Sequence, residues 1–270
     1  AVHAMGIAVG DYNNDGWMDY QVTNIFSGPL LVNRGNTEGF LDLSNELGVG
    51  IDIIASKAGP STAVISWSPV FLDYDNDLDL DLFNSIGGIN PPTMYLKDFL
   101  YENMGRVFKV NENSGIIDYG ISRGTVKFDF DNDGDLDLIL GEQGNLPREI
   151  CGTESNLVGM IRVLLNDGNG GFSIGQEMCL GTYVTGGEGT GSPMEFWNDF
   201  QAGLEVMDLD GDGYGDIMSG DSGFAHDYVL YNDSNGKFDE WDRHFFDRTP
   251  FSADDIWTDP KYRIGYEVNR

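Results

Sequence analysis

Positive charge is scarce in this chain. Its 270 residues hold 15 Lys plus Arg against 45 Asp plus Glu, a formal net charge of −30. So acidic a surface repels nucleic acid and anionic membrane faces, and neither is expected as a partner. Histidine is limited to His3, His226 and His244, whose spacing gives no zinc signature. Cysteine is limited to Cys151 and Cys179. They can form at most one internal disulfide in an oxidising compartment, two separate buried thiols being the alternative. No apolar run approaches the roughly 20 residues of a membrane-spanning helix, so membrane insertion is not expected. No glycine-rich phosphate loop is found. The chain opens on Ala1 without a visible signal peptide, as a processed form or a fragment would, so its N-terminus does not decide localisation.

Apolar residues at 40% and aromatics at 12% are enough for a folded core, and the length suits one large domain or two small ones. Thirty-seven glycines, spread along the chain with Asn and Asp, predict many tight turns between short strands.

The acids are clustered. Four nine-residue segments share one pattern: DYNNDGWMD at Asp11–Asp19, DYDNDLDLD at Asp73–Asp81, DFDNDGDLD at Asp129–Asp137 and DLDGDGYGD at Asp208–Asp216. They recur at intervals of roughly 55–80 residues, close to the size of one supersecondary repeat. Short apolar runs stand on both sides, too short for helices and partly alternating, which predicts strand, acidic loop, strand. A second signature follows: a strand, then Asn, a Gly-containing turn and Phe. It reads LLVNRGNTEGF to Phe40, LYENMGRVF to Phe108, VLLNDGNGGF to Phe172 and VLYNDSNGKF to Phe238. Asn-Gly and Asp-Gly turns of this kind are strong hairpin signals. Each repeat therefore holds about four strands, the number in a β-propeller blade. The predicted fold is all-β: a propeller of four or five blades, or part of a larger ring.

The loop chemistry points to calcium, which takes about six to eight oxygen ligands, carboxylates and backbone carbonyls among them. Positions 1, 3, 5 and 9 offer side chains and position 7 its carbonyl. The expected ligands are Asp11, Asn13, Asp15, Trp17 and Asp19; Asp73, Asp75, Asp77, Asp79 and Asp81; Asp129, Asp131, Asp133, Asp135 and Asp137; and Asp208, Asp210, Asp212, Tyr214 and Asp216. Glycine at position 6 (Gly16, Gly134, Gly213) permits the wrapping turn, whereas Leu78 in the second loop puts that turn in question. Magnesium, which dehydrates reluctantly, fits an all-protein cage less well. An EF-hand needs Glu at position 12, where this chain has Val22, Asn84, Leu140 and Ser219. Up to four calcium ions are expected, with the first loop weakened by Asn13.

Strand, DxDxDGxxD and strand together resemble the FG-GAP/VCBS repeat of integrin-α-type propellers. The run MGIAVGDYNNDGWMDYQVTN with LLVNRGNTEGFLDLSNELGV is similar to bacterial FG-GAP-like proteins and to the cartilage acidic proteins. That resemblance, from about Ala4 to Phe238, implies an extracellular or cell-surface protein that binds protein or glycan ligands, with calcium structural. The expectation is a non-enzymatic adhesion or scaffold protein. Two alternatives stand beside it: a carbohydrate-binding or lyase-type propeller, and a self-assembling subunit of an extracellular polymer or filament.

Other features weigh less. GDSG at Gly220–Gly223 resembles a serine-protease nucleophile motif, but Ser222 has no supporting histidine context and a turn fits better. Asn232-Asp-Ser is a glycosylation acceptor pattern inside a predicted turn, where a structural role fits better. Gly181–Phe200, with Glu188, Glu195, Trp197 and Asp199, is a long Gly-rich loop of the kind that carries binding function. Residues 1–238 are assigned to the repeats. The tail 239–270, with Trp241 and Trp257, is expected to be a degenerate blade or an interaction arm.

Overall fold

The computed structural model describes residues 4–25, 28–35, 38–50, 65–87, 97–116, 121–143, 159–179, 201–221, 228–233 and 236–245. These residues form sixteen strands and no helix, in four antiparallel four-stranded sheets. Blade 1 holds β1 (Ile7–Gly10), β2 (Asp19–Val22), β3 (Leu30–Asn33) and β4 (Phe40–Asp42). Blade 2 holds β5 (Ser66–Leu72), β6 (Asp81–Ile86), β7 (Phe99–Asn103) and β8 (Phe108–Val110). Blade 3 holds β9 (Ile121–Phe128), β10 (Asp137–Gln143), β11 (Gly159–Asn166) and β12 (Phe172–Cys179). Blade 4 holds β13 (Gln201–Met207), β14 (Asp216–Asp221), β15 (Tyr228–Asn232) and β16 (Phe238–Phe245).

Within each sheet the strands pair in chain order, so every acidic loop caps the hairpin between the first and second strands. The arrangement is a four-blade β-propeller, with the first strands neighbouring in the order β1, β5, β9, β13. The last strand runs on to Phe245, past the expected boundary at 238, and pairs with β15 there.

The apolar residues lie in the seams between blades. Between blades 1 and 2, Ala8, Tyr12, Leu30 and Val32 meet Phe71, Leu82, Tyr101 and Phe108. Between blades 2 and 3, Val70, Tyr74, Phe83 and Leu100 meet Leu138, Leu164 and Phe172. Between blades 3 and 4, Phe130, Ile139, Ile161 and Val163 meet Val206, Ile217, Leu230 and Phe238. Blades 2 and 3 thus each have one face toward the preceding blade and one toward the following blade. Two-sided burial explains why β10 carries the continuous apolar run Leu138–Leu140, whereas β2 in the first blade alternates buried and half-buried residues.

The Phe that closes the repeat signature in blades 2, 3 and 4 serves a seam. It packs on the aromatic at loop position 2 of the preceding blade: Phe108 on Tyr12 at 5.5 Å between ring centroids, Phe172 on Tyr74 at 6.2 Å and Phe238 on Phe130 at 5.5 Å. Backbone groups join in, with the Phe108 N–H donating to the Leu47 carbonyl and the Phe172 N–H to the Ser114 carbonyl, both at 2.7 Å. At the strand ends away from the loops the packing turns polar. There buried Arg162 pairs with buried Glu142, and Asp98 accepts from the Ile86 N–H and the Ser122 hydroxyl.

Candidate metal centres

Each loop is built on two carboxylates that organise backbone. The first, at position 1, accepts N–H groups from the far side of the turn. Asp11 takes those of Asp15 and Gly16 at 3.0 and 2.8 Å, Asp73 those of Asp77 and Leu78 at 3.1 Å each, and Asp129 that of Gly134 at 3.2 Å. Asp208 does the same for Gly211, Asp212 and Gly213.

The second carboxylate, at position 9, is almost fully buried in all four loops: Asp19, Asp81, Asp137 and Asp216. One of its oxygens accepts the N–H of position 2, from Tyr12, Tyr74, Phe130 and Leu209 in turn. The other accepts the N–H of the signature Asn on the third strand: Asn33, Asn103, Asn166 and Asn232, at 2.7–3.1 Å. A single side chain therefore ties the loop's start to a strand outside the hairpin.

The signature Asn completes the brace. Its amide donates to the position-8 carbonyl of its own loop in every blade. In two blades it also donates across the seam, Asn103 to the Tyr12 carbonyl at 2.9 Å and Asn166 to the Tyr74 carbonyl at 2.8 Å. Asn232 is buried and engaged in the same way, which leaves its amide poorly placed for a glycan.

The backbone reverses through left-handed residues at positions 4 and 6. Asn14, Asn76 and Asn132 have φ of 56°, 60° and 59°, with Gly211 at 82°. Gly16, Gly134 and Gly213 lie at 90–100°. Leu78 takes the same turn at 74°, so the second loop keeps the common geometry, and its exposed side chain meets no packing constraint. A non-glycine residue held there carries backbone strain.

These turns bring the acids together. Three groups hold carboxylate oxygens all within 4.8 Å of one another: Asp73, Asp75 and Asp81; Asp129, Asp131 and Asp137; Asp208, Asp210 and Asp216. In the first loop Asn13 stands at position 3, and its side-chain oxygen accepts the Asp15 N–H at 3.0 Å. The position-5 acids, Asp15, Asp77, Asp133 and Asp212, each accept the N–H of position 7 at 2.9–3.0 Å.

A divalent cation fits this donor set. One oxygen each of Asp75 and Asp129 is out of solvent without a hydrogen-bond donor, an arrangement that a cation satisfies and an apolar surround does not. The acids are also poorly tolerated as free anions. Burial, despite two backbone hydrogen bonds, pushes Asp81 up to about 7 and Asp137 up to about 6. Burial and then the charges of Asp77, Asp75 and Asp73 push Asp79 up to about 6. Asp19, Asp75, Asp131 and Asp216 shift upward too, with burial the largest cause. Oxygen-only, carboxylate-rich donors suit a hard cation such as calcium.

Two features went unread in the sequence. The left-handed Asn at position 4 is one, although its recurrence in three loops was the available signal. The other is the brace between the signature Asn and the position-9 Asp, because pairing across a sheet is not written in local spacing. Cys151, Ser222, His226 and the Gly181–Phe200 loop lie outside the described residues.

No family model matches the chain. The chain is weakly homologous to cartilage acidic protein 1. It is 28% identical to the Mus musculus protein over 190 residues and 29% identical to the Xenopus tropicalis protein over 194 residues, covering 68% of this chain in both. It spans less than a third of those relatives' length, 28% of each. Among solved structures, an Agrocybe aegerita lectin described as recognising non-reducing terminal N-acetylglucosamine is 18% identical. It aligns over 86% of this chain and 63% of its own at a TM-score of 0.37, a likeness too loose to carry an argument.

Proposed function

We propose that this chain is a calcium-stabilised, non-enzymatic FG-GAP/VCBS-type propeller that serves extracellular adhesion or scaffolding, with calcium structural. The observation that carries the reading is the four-fold recurrence of one brace. In it, the position-9 acid that would help hold the ion also fixes the third strand and the residue at loop position 2, a seam aromatic in the first three blades. The residues at loop positions 1, 3, 5, 7 and 9 of Asp11–Asp19, Asp73–Asp81, Asp129–Asp137 and Asp208–Asp216 would supply the ligands. Bound calcium would offset their mutual repulsion and relieve the desolvated oxygens of Asp75 and Asp129. The stiffened loop would in turn hold Tyr12, Tyr74 and Phe130 against the next blade.

An extracellular setting suits sites of this class, which bind with dissociation constants of about 0.1–1 mM. The cartilage naming of the relatives supports the same setting; the ligand in this reading is a protein or glycan at a matrix or cell surface. At about 2 mM free calcium, mass action gives about 0.7–1.8 kcal/mol per site. Thermal melts with calcium and with chelator test the reading. Chelation is expected to lower Tm by many degrees, and calorimetry to show unequal sites with the third and fourth loops filled first. A melt unmoved by chelator would sink it.

A further inference from the structure

The tips of the first two acidic loops reach the next blade. Asn76 is position 4 of the second loop, between the expected ligands Asp75 and Asp77. Its backbone is left-handed, with φ of 60°, and its side chain is exposed. The amide donates to Asp135 Oδ1 at 2.8 Å and to the Gly168 carbonyl at 3.2 Å. Asp135 is position 7 of the third loop, where the backbone carbonyl is an expected ligand. Asn14 repeats the pattern one blade earlier. Its amide donates to the Leu78 carbonyl at 3.3 Å, between Asp77 and Asp79.

The second and third loops are joined most closely. The turn that follows β11 lies against both. A Cβ on Gly168 would stand 2.3 Å from Asp135 Oδ2, and one on Gly170 would stand 3.5 Å from Tyr74 Cε2 and 3.7 Å from Asp75 Cβ. A second tie runs through Asn166. Its N–H donates to Asp137 at position 9 of the third loop, and its amide donates to the Tyr74 carbonyl at position 2 of the second. Each tie therefore ends on an expected ligand of the third loop and beside one of the second. The fourth loop has Tyr214, without a carboxylate, where the third has Asp135.

We infer that the calcium sites of the second and third loops are coupled: an ion in the third raises the affinity of the second, and by linkage the reverse holds. The inference rests on the calcium reading and concerns the regulation of those same sites. Without an ion, the carboxylates at positions 3 and 5 repel each other and loosen the turn from which Asn76 reaches. An ion in the third loop fixes position 7, so Asp135 becomes a fixed acceptor. The second loop then closes on its own ion with Asn76 already held, and loses less freedom in doing so. One exposed hydrogen bond to a carboxylate sets the scale at about two- to tenfold in affinity. The longer Asn14 bond couples the first loop to the second more weakly. Coupled loops stiffen over a narrower range of calcium concentration than independent ones.

A calcium titration resolved by site tests this. The amides at loop position 6, of Gly16, Leu78, Gly134 and Gly213, each donate to the position-1 carboxylate of their own loop and report the four sites separately in nuclear magnetic resonance spectra. Asp131→Ala removes an exposed expected ligand from the third loop alone. It is expected to empty that loop, read at Gly134, and to weaken the second loop about two- to tenfold, read at Leu78. In an Asn76→Gly background the loss at Leu78 is expected to shrink. Glycine keeps the left-handed turn there, as Gly211 does in the fourth loop at φ of 82°, and removes only the amide. A loss at Leu78 that is absent, or that Asn76→Gly leaves undiminished, overturns the inference and leaves the calcium reading standing. No calcium response at any of the four amides overturns both.

Discussion

The first and second acidic loops differ sharply in charge and hardly at all in shape. The second has Asp at all five odd positions; the first has Asn13 and Trp17 at two of them. Yet in both, the position-1 Asp takes two turn N–H groups and the position-9 Asp takes the N–H groups of position 2 and of the signature Asn. Both reverse through positive φ at positions 4 and 6, although one uses Gly16 and the other Leu78. Loop shape is therefore set by a shared hydrogen-bond frame, with carboxylates at positions 1, 5 and 9 in both loops, and not by the number of charges.

The comparison breaks first, and with the largest effect, at position 9. Asp19→Ala and Asp81→Ala each strand two backbone donors, and each is expected to cost about 2–5 kcal/mol in chelator, as read by denaturant unfolding. Comparable losses in the two loops support a shared frame. A loss confined to the second loop refutes it.

The next largest effect sharpens the charge side. Asn13→Asp restores a carboxylate ligand without altering the frame. It is expected to tighten the first site about tenfold, or about 1.4 kcal/mol, in calorimetric titration.

Acid tests the same difference. Asp81 and Asp79 have folded-state pKa values of about 7 and about 6, above the unfolded carboxylate value. Between the unfolded and folded values the folded state binds more protons, so in chelator stability falls as pH rises from about 4 to about 7 and then levels off. Calcium needs the anions, so its affinity falls over the same window as pH drops. Asp81→Asn is expected to flatten the chelator profile, read as Tm against pH. An unchanged profile would place the titration elsewhere.

The smallest expected effect is Leu78→Gly. It relieves left-handed strain at an exposed side chain, against the greater chain entropy of glycine when unfolded, for a net gain of about 0.5–1 kcal/mol. A loss would mean that Leu78 makes a contact the loop needs.

The blades were legible because their signals are local and repeated: an acidic turn, an Asn-to-Phe hairpin and short apolar runs between them. The clustering of the acids was legible for the same reason. What each signature residue does was not. Phe108 reads as the end of a turn, but its partner Tyr12 lies in another repeat, and Asn103 reads as a turn residue while its amide reaches Tyr12 across the seam. Leu78 was unreadable for a different cause. Propensity argues against a left-handed leucine, and the frame around Asp73 overrides it.

The loops are also hooked to one another in a single direction. Asn14 reaches forward to the Leu78 carbonyl at 3.3 Å, and Asn76 to the Asp135 carboxylate and the Gly168 carbonyl at 2.8 and 3.2 Å. Blade 4 has Gly211 at that position, with no side chain to extend. Any blade seated beyond it is held without a hook. Among the described residues the hook joins blade 1 to blade 2 and blade 2 to blade 3, so the seam to blade 4 would open under load before those two part.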